Sequence, residues 1–395
     1  MREATSIAAP RLPEGLDRAL KQRRLPALDG LRAIAALFVV AYHFGMRAAP
    51  AGLGVLIFFV LSGFLITWLL LVEQDRTGTV SLRAFHARRV LRIVPAFWGY
   101  WLVFIGSMLI FGKSIHWTQA AASFVFLGNY YQALFGDPNT GLSHAWTLGV
   151  EQQFYLLWPP LFVLLGRNRP RMARILLWVI PCFWAYRLLM VLVVGVPQGY
   201  VYEAFDMRAD HFLAGCLLAI ALRSGVGTRL VRAVTARPEL GVLTVMLVAV
   251  SVAFELEGGV LYRDTVGHIV NPVLTVILLT QALTFYATPL WGWLEWSWVR
   301  YLGQISYSIY LYQQLVIPVT KKLFGSLPWP LDFLLTCGAI VLAASASYVF
   351  IERPVQEWGK KRGRKAPAPA LPPAPLPESV PPGPPQPASP ATPGT

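Results

Sequence analysis

Four groups of residues combine chemically useful types with a usable spacing. Asp29, Arg32 and His43 fall in one apolar block, 28–45. Arg32 and His43 are eleven residues apart, about 16 Å and three turns of helix, so their side chains share a face. An imidazole, with an ordinary pKa of about 6.5, can take a hydroxyl proton near neutral pH, which makes His43 a candidate general base. The second group is Phe85-His-Ala-Arg88-Arg89-Val-Leu-Arg92-Ile-Val-Pro95. Arg89 and Arg92, three apart, project from one side of a helix, and guanidinium forks grip phosphates at any working pH. The third is Ser143-His144-Ala-Trp146-Thr-Leu-Gly-Val-Glu151-Gln152-Gln153-Phe-Tyr155, with Glu151 one turn from Tyr155. The fourth gathers Asp206, Arg208, Asp210 and His211.

Each group has a plainer alternative. Arg32 could snorkel and His43 sit at an interface; Arg88 and Arg89 could be ordinary basic flanks. Glu151 could be a helix-flank carboxylate, and Arg208 could pair with Glu151 or Asp210 in a structural network. Ser62-Gly63 reads as a small-residue packing site rather than a nucleophile. What favours chemistry is depth. Ionisable groups inside apolar spans cost several kcal/mol unless paired or solvated.

The elements that must carry these residues are membrane helices. Of 395 residues, 55% are hydrophobic and 14% charged, against about 25% charged in soluble domains. A bilayer core about 30 Å thick needs about 20 apolar residues per crossing. Ten blocks qualify as spans: 28–45, 53–71, 90–111, 145–166, 175–194, 211–222, 240–256, 269–286, 302–319 and 331–350. The stretch 120–135, with Asn129, Tyr130, Tyr131 and Gln132, reads as a re-entrant or interfacial piece. With both termini in the cytoplasm, 25 of the 34 Lys and Arg residues fall in cytoplasmic pieces and 6 outside, as orientation by positive charge requires. The predicted fold class is therefore an all-α polytopic bundle of about ten transmembrane helices. Residues 1–24 are expected to form a mobile basic leader with at most a surface helix, 25–357 the membrane domain, and 358–395 a basic, then Pro/Ala-rich disordered tail. The first apolar block carries Arg32 and His43, so a retained helix is expected rather than a cleaved signal.

Net charge is +14, but the basic residues punctuate apolar blocks, so no nucleic-acid partner is expected. Cys182, Cys216 and Cys337 lie in apolar segments without ligand-like spacing, and neither a metal site nor disulfides are expected. The depth assignment puts Arg32, Arg89 and Arg92 at the cytoplasmic side, with His43, Glu151 and Asp210 toward the outer half. An enzyme drawing a phosphate-bearing acyl donor from the cytoplasm would need that polarity within one cavity. A transporter is the alternative, since polytopic chains with intramembrane charges often move solutes.

From about residue 25 to 354 the chain resembles the bacterial acyltransferase-3 family. The segments that carry the likeness are Leu25-Pro-Ala-Leu-Asp-Gly-Leu-Arg32 with His43, and Gly54-Val-Leu-Ile-Phe-Phe-Val-Leu-Ser-Gly-Phe-Leu65. Phe85–Pro95, His144–Pro159, Ile305-Ser-Tyr-Ser-Ile-Tyr-Leu311 and Glu352-Arg-Pro354 complete it. The resemblance implies a membrane O-acyltransferase of the bacterial inner membrane that binds no permanent cofactor. Its co-substrate would be acyl-CoA, acetyl-CoA above all, and its acceptor a hydroxyl-bearing sugar, polysaccharide or macrolide. It further implies His43 as catalytic histidine and Arg32, Arg89 and Arg92 as donor-binding. Glu151 would orient the base or the acceptor, with Tyr155, Arg208 and Asp210 expected toward the substrate. Many members carry a histidine where this chain has Gln313-Gln314, so no proton-carrying role transfers there. No hydrolase-like domain follows the bundle in this sequence, which leans the expectation toward a small or diffusible acceptor.

Overall fold

Apolar blocks of this length become helices because every backbone polar group must be satisfied internally once water is excluded. The computed structural model describes residues 12–22, 25–166 and 168–364. Among them the regular elements are helices. They run α1 (Glu14–Lys21), α2 (Pro26–Phe44), α3 (Ala51–Thr77), α4 (Leu82–Ile110), α5 (Trp117–Phe124) and α6 (Gly128–Phe135). There follow α7 (Trp146–Leu165), α8 (Arg169–Leu189), α9 (Gln198–Glu203), α10 (Ala209–Ser224), α11 (Thr228–Val234) and α12 (Leu240–Tyr262). The last six are α13 (His268–Phe285), α14 (Pro289–Gly292), α15 (Ser297–Gln304), α16 (Ser306–Phe324), α17 (Trp329–Ser347) and α18 (Arg353–Arg364).

Local chemistry sets many of the boundaries. Pro26 opens α2, where its missing N–H is harmless. The Ser81 hydroxyl accepts the Ala84 N–H to cap α4, and the Asn168 side chain does the same for α8 through Arg171. Left-handed glycines, Gly78 and Gly225, end α3 and α10.

The ten apolar blocks fall on α2, α3, α4, α7, α8, α10, α12, α13, α16 and α17, the ninth beginning in α15. Six helical stretches among the described residues are long and apolar enough to cross a membrane, or seven if the sharply bent α10–α11 pair counts as one. One of the six, Leu240–Phe285, holds 46 residues, more than twice a bilayer crossing if straight. It is folded back on itself. Ser251 and Tyr262 would lie about 16 Å apart along one helix, yet their hydroxyls are 2.9 Å apart. The reversal occurs at Gly259, whose φ of 61° and ψ of −149° suit only glycine. The expected re-entrant piece is two eight-residue helices, α5 and α6, joined through Phe126 at φ 61°.

The exterior is apolar and much of the interior is polar. Ile110, Leu164, Trp178 and Phe350 are more than 70% exposed, whereas Arg187, Asp210 and His211 are fully buried. A water-soluble bundle would reverse that arrangement; a multi-pass membrane protein requires it. At the centre α3 and α10 touch through glycines. A Cβ on Gly63 would come within 2.0 Å of the Phe212 carbonyl oxygen, and one on Gly215 within 2.0 Å of the Val60 carbonyl oxygen. Phe212 stacks between Phe59 and Phe154 at 4.5 and 4.4 Å, locking α7 onto the same pair.

Two findings differ from the expected domain limits. Within the leader, α1 is docked against α13 with Leu16 fully buried, because its apolar side meets the open flank of that helix. Beyond α17, helix α18 runs to Arg364, into the stretch expected as tail. Residues 1–11 and the Pro/Ala-rich stretch from 365 on lie outside the described residues.

Candidate active site

Arg32 on α2, Ser62 on α3, Arg89 and Arg92 on α4, and Glu151 and Tyr155 on α7 line one cavity of about 970 Å³. Its mouth lies between the C-terminal ends of α3 and α10 and the start of α2. The three arginines carry its distinctive chemistry. Among the described residues none of them forms an ion pair. Arg32 donates through Nε to the Ser306 hydroxyl at 3.2 Å and lies over the Phe58 ring. Arg89 is sandwiched by the rings of Phe85 and Tyr155, 5.6 and 5.5 Å from its guanidinium carbon. Ring faces hold a guanidinium in place without neutralising it.

Two of the carboxylates lining the cavity, Glu151 and Glu352, are engaged by hydroxyls. Ser62 donates to Glu151 Oε1 at 2.5 Å, and the Tyr155 hydroxyl donates to the same oxygen. Glu352 accepts from Ser308. Depth counted from the helix end misplaces Glu151. The first turn of α7 is already buried, Trp146 to Val150, so Glu151 sits with the arginines rather than near the opposite face. Ser62 was legible only as a packing residue; it faces this cavity, while its neighbour Gly63 does the packing.

Above Glu151 the space narrows to about 50 Å³ between Thr147, Ser306 and Tyr310, with Arg32 and Ser62 at its base. Thr147 donates to the Tyr310 hydroxyl at 2.8 Å, which donates to the His144 carbonyl at 2.7 Å. The His144 ring lies against Tyr310 and Tyr100, centroids 5.3 and 5.4 Å away. His43 is not among the residues lining the arginine cavity. It stands farther along α2, with Nδ1 held 3.0 Å from the Gln314 side-chain amide. Gln314 thus engages Nδ1, and among the described residues Nε2 has no hydrogen-bond partner.

A family model described as an acyltransferase domain matches residues 25–349. The chain belongs to this acyltransferase family. Among its relatives, the putative peptidoglycan O-acetyltransferase YrhL of Bacillus subtilis is 30% identical over 85% of this chain and 56% of its own length. The peptidoglycan O-acetyltransferase OatA of Listeria monocytogenes is 30% identical over 86% and 57%. The O-acetyltransferase OatA of Staphylococcus aureus is 29% identical over 88% and 59%. The chain spans a little more than half the length of these relatives. No solved structure matches it.

The fourth residue group builds a separate cluster. Asp210 pairs with Arg187 and accepts from Trp184 at 3.0 Å. Arg187 also donates to the Met207 and His268 carbonyls. Neither expected partner of Arg208 is its partner. It donates to the Tyr202 carbonyl at 2.8 Å and meets His268 Nε2 at 2.6 Å, its guanidinium over the Tyr202 and Trp146 rings. Neither Arg208 nor Asp210 lines the arginine cavity. Arg187 could have been singled out from sequence, since it is a charge in mid-span. Ser306, Tyr307 and Tyr310 lie in the segment Ile305–Leu311 that carried the family likeness, but their residue types alone did not point to a place in the site.

Glu203, at the end of the short α9, is buried beside Asp137. Burial first, and Asp137 second, push its carboxyl up to about 8.

Two expectations follow from these clusters. Asp210→Asn strands the Arg187 charge and should cost about 3–5 kcal/mol, read as thermal unfolding of the purified protein. The double change Arg187→Met with Asp210→Leu should recover most of that loss, and a double variant as unstable as the single one would contradict the pairing account. For Glu203, a folded-state pKa above the ordinary 4.5 means stability is greatest below 4.5 and is lost as the pH rises to about 8. Glu203→Gln should flatten that loss; an unchanged pH profile of unfolding would place the titration elsewhere.

Proposed function

We propose that this protein moves an acyl group, acetyl in the first instance, from acyl-CoA to a hydroxyl of a cell-envelope polysaccharide. One observation carries the donor assignment: Arg32, Arg89 and Arg92 face a large cavity without ion-pair partners among the described residues. Three cations concentrated in an apolar bundle repel one another and attract a polyanion, and the phosphates of a coenzyme supply it. The named relatives favour acetyl as the group and a carbohydrate as acceptor over a macrolide.

The membrane placement belongs to the same proposal. Ten crossings with both ends in the cytoplasm put the arginine cavity on the inner side of the bacterial cell membrane, where acyl-CoA is made. The ten long helices and the 25-to-6 division of Lys and Arg support it.

In the mechanism, the coenzyme phosphates dock on the arginines and the thioester arm extends past Glu151 toward Thr147 and Tyr310. His43 Nε2 removes the acceptor hydroxyl proton. The oxygen attacks the thioester carbonyl, a C–O bond forms as the C–S bond breaks, and the proton passes from the imidazole to the departing thiolate. Glu151, fixed by Ser62 and Tyr155, positions the arm. The arm must traverse the narrow passage for this geometry to work, so a modest opening between α7 and α16 belongs to the proposal.

The test uses purified protein in lipid discs, labelled acetyl-CoA and a soluble polysaccharide acceptor. The wild type should transfer label. His43→Ala should lower transfer about 100-fold or more while retaining coenzyme binding, and Arg89→Ala or Arg92→Ala should weaken binding about tenfold. Normal turnover by His43→Ala would remove it as base. Uptake of an intact solute into vesicles, without label on any acceptor, would favour a transporter.

A further inference from the structure

The matched family domain begins at residue 25, yet the wall of the arginine cavity does not. Leu20, Lys21 and Gln22, from α1 and the turn after it, line the cavity together with Arg76 and Arg223 at its mouth. The helix is seated for this task. Leu16 is fully buried and Ala19 nearly so, and Gly15 lies so close to α13 that a Cβ there would come within 2.2 Å of the Thr284 carbonyl oxygen. An apolar side packed this closely holds the C-terminal end of α1, and Lys21 with it, over the cavity rim.

The cations of the cavity divide by depth. Arg32 and Arg89 are partly buried beside Ser306, Phe58 and Tyr155. Arg223 is held at the rim by Asp75 at 2.6 Å. Among the described residues Lys21 bonds only Asp17, one turn back on its own helix, at 2.6 Å with both side chains largely exposed. An exposed pair of this kind contributes little, so the ammonium is free to swing to a better anion.

We infer that α1 is part of the donor site, and that Lys21 at the rim contacts a phosphate at the end of the donor remote from the reacting acyl group. This rests on the acyl-CoA reading. There the remote group is the phosphate on the ribose of the coenzyme, since the acyl end must travel inward past Glu151. Lys21 is a binding residue rather than a catalytic one, and through α1 this chain adds a contact that lies outside the matched domain.

The experiment measures affinity of the full-length protein in lipid discs for coenzyme A and for coenzyme A lacking the ribose 3′-phosphate. The wild type should bind the complete coenzyme about tenfold more tightly. Lys21→Gln should reduce that preference severalfold by weakening only the complete coenzyme, and Lys21→Arg should keep it. Gly15→Val, which cannot seat against Thr284, should lose the preference as Lys21→Gln does. Equal binding of the two compounds by the wild type would overturn the inference, as would a Lys21→Gln variant that keeps the preference or weakens both compounds alike. Binding of neither compound by the wild type would overturn the donor reading itself, and this inference with it.

Discussion

Charge buried without a counter-charge is the constraint around which this bundle is arranged. Apolar helices exclude water, and a guanidinium in such surroundings is expensive unless something solvates it. Two arginine systems within the bundle meet that requirement in opposite ways. Arg187 is satisfied internally by Asp210 and two carbonyls, and the result is rigid and closed. Arg32 and Arg89 are held by rings and a hydroxyl, and with Arg92 they open onto a water-accessible cavity. The first system stabilises a corner of the fold; the second is poised for an anion from outside the protein.

The surrounding packing keeps the second system in that condition. Close approach of α3 and α10 at Gly63 and Gly215, with the Phe59–Phe212–Phe154 stack joining α7, fixes Ser62 opposite Glu151. With Ser62 and Tyr155 bound to its carboxylate, Glu151 is kept from pairing with Arg32 or Arg89. The proposed donor site therefore depends on two glycines that never touch a ligand.

Much of this was legible in the sequence, for physical reasons that also explain the omissions. Period and hydropathy located the helices because burial from water is written in residue type. The three-residue spacing of Arg89 and Arg92 announced a shared face because helix geometry is fixed. Depth was harder. Glu151 was expected near the outer half because sequence cannot tell that α6 packs against α7. His43 and Arg32 share a helix face by spacing, yet His43 is not among the residues lining the cavity around Arg32. The role of α1 was invisible too: eight residues in a basic leader look like a surface helix until Gly15 is seen against Thr284.

The central claim is that Arg32, Arg89 and Arg92 receive the phosphates of an acyl-CoA. The most direct measurement is a structure of the protein in lipid with a non-hydrolysable acetyl-CoA analogue bound. The account predicts phosphate oxygens against Arg32, Arg89 and Arg92, with the acyl end directed between Thr147 and Tyr310 toward His43. A coenzyme seated elsewhere, with these three guanidiniums still facing only water, would contradict it.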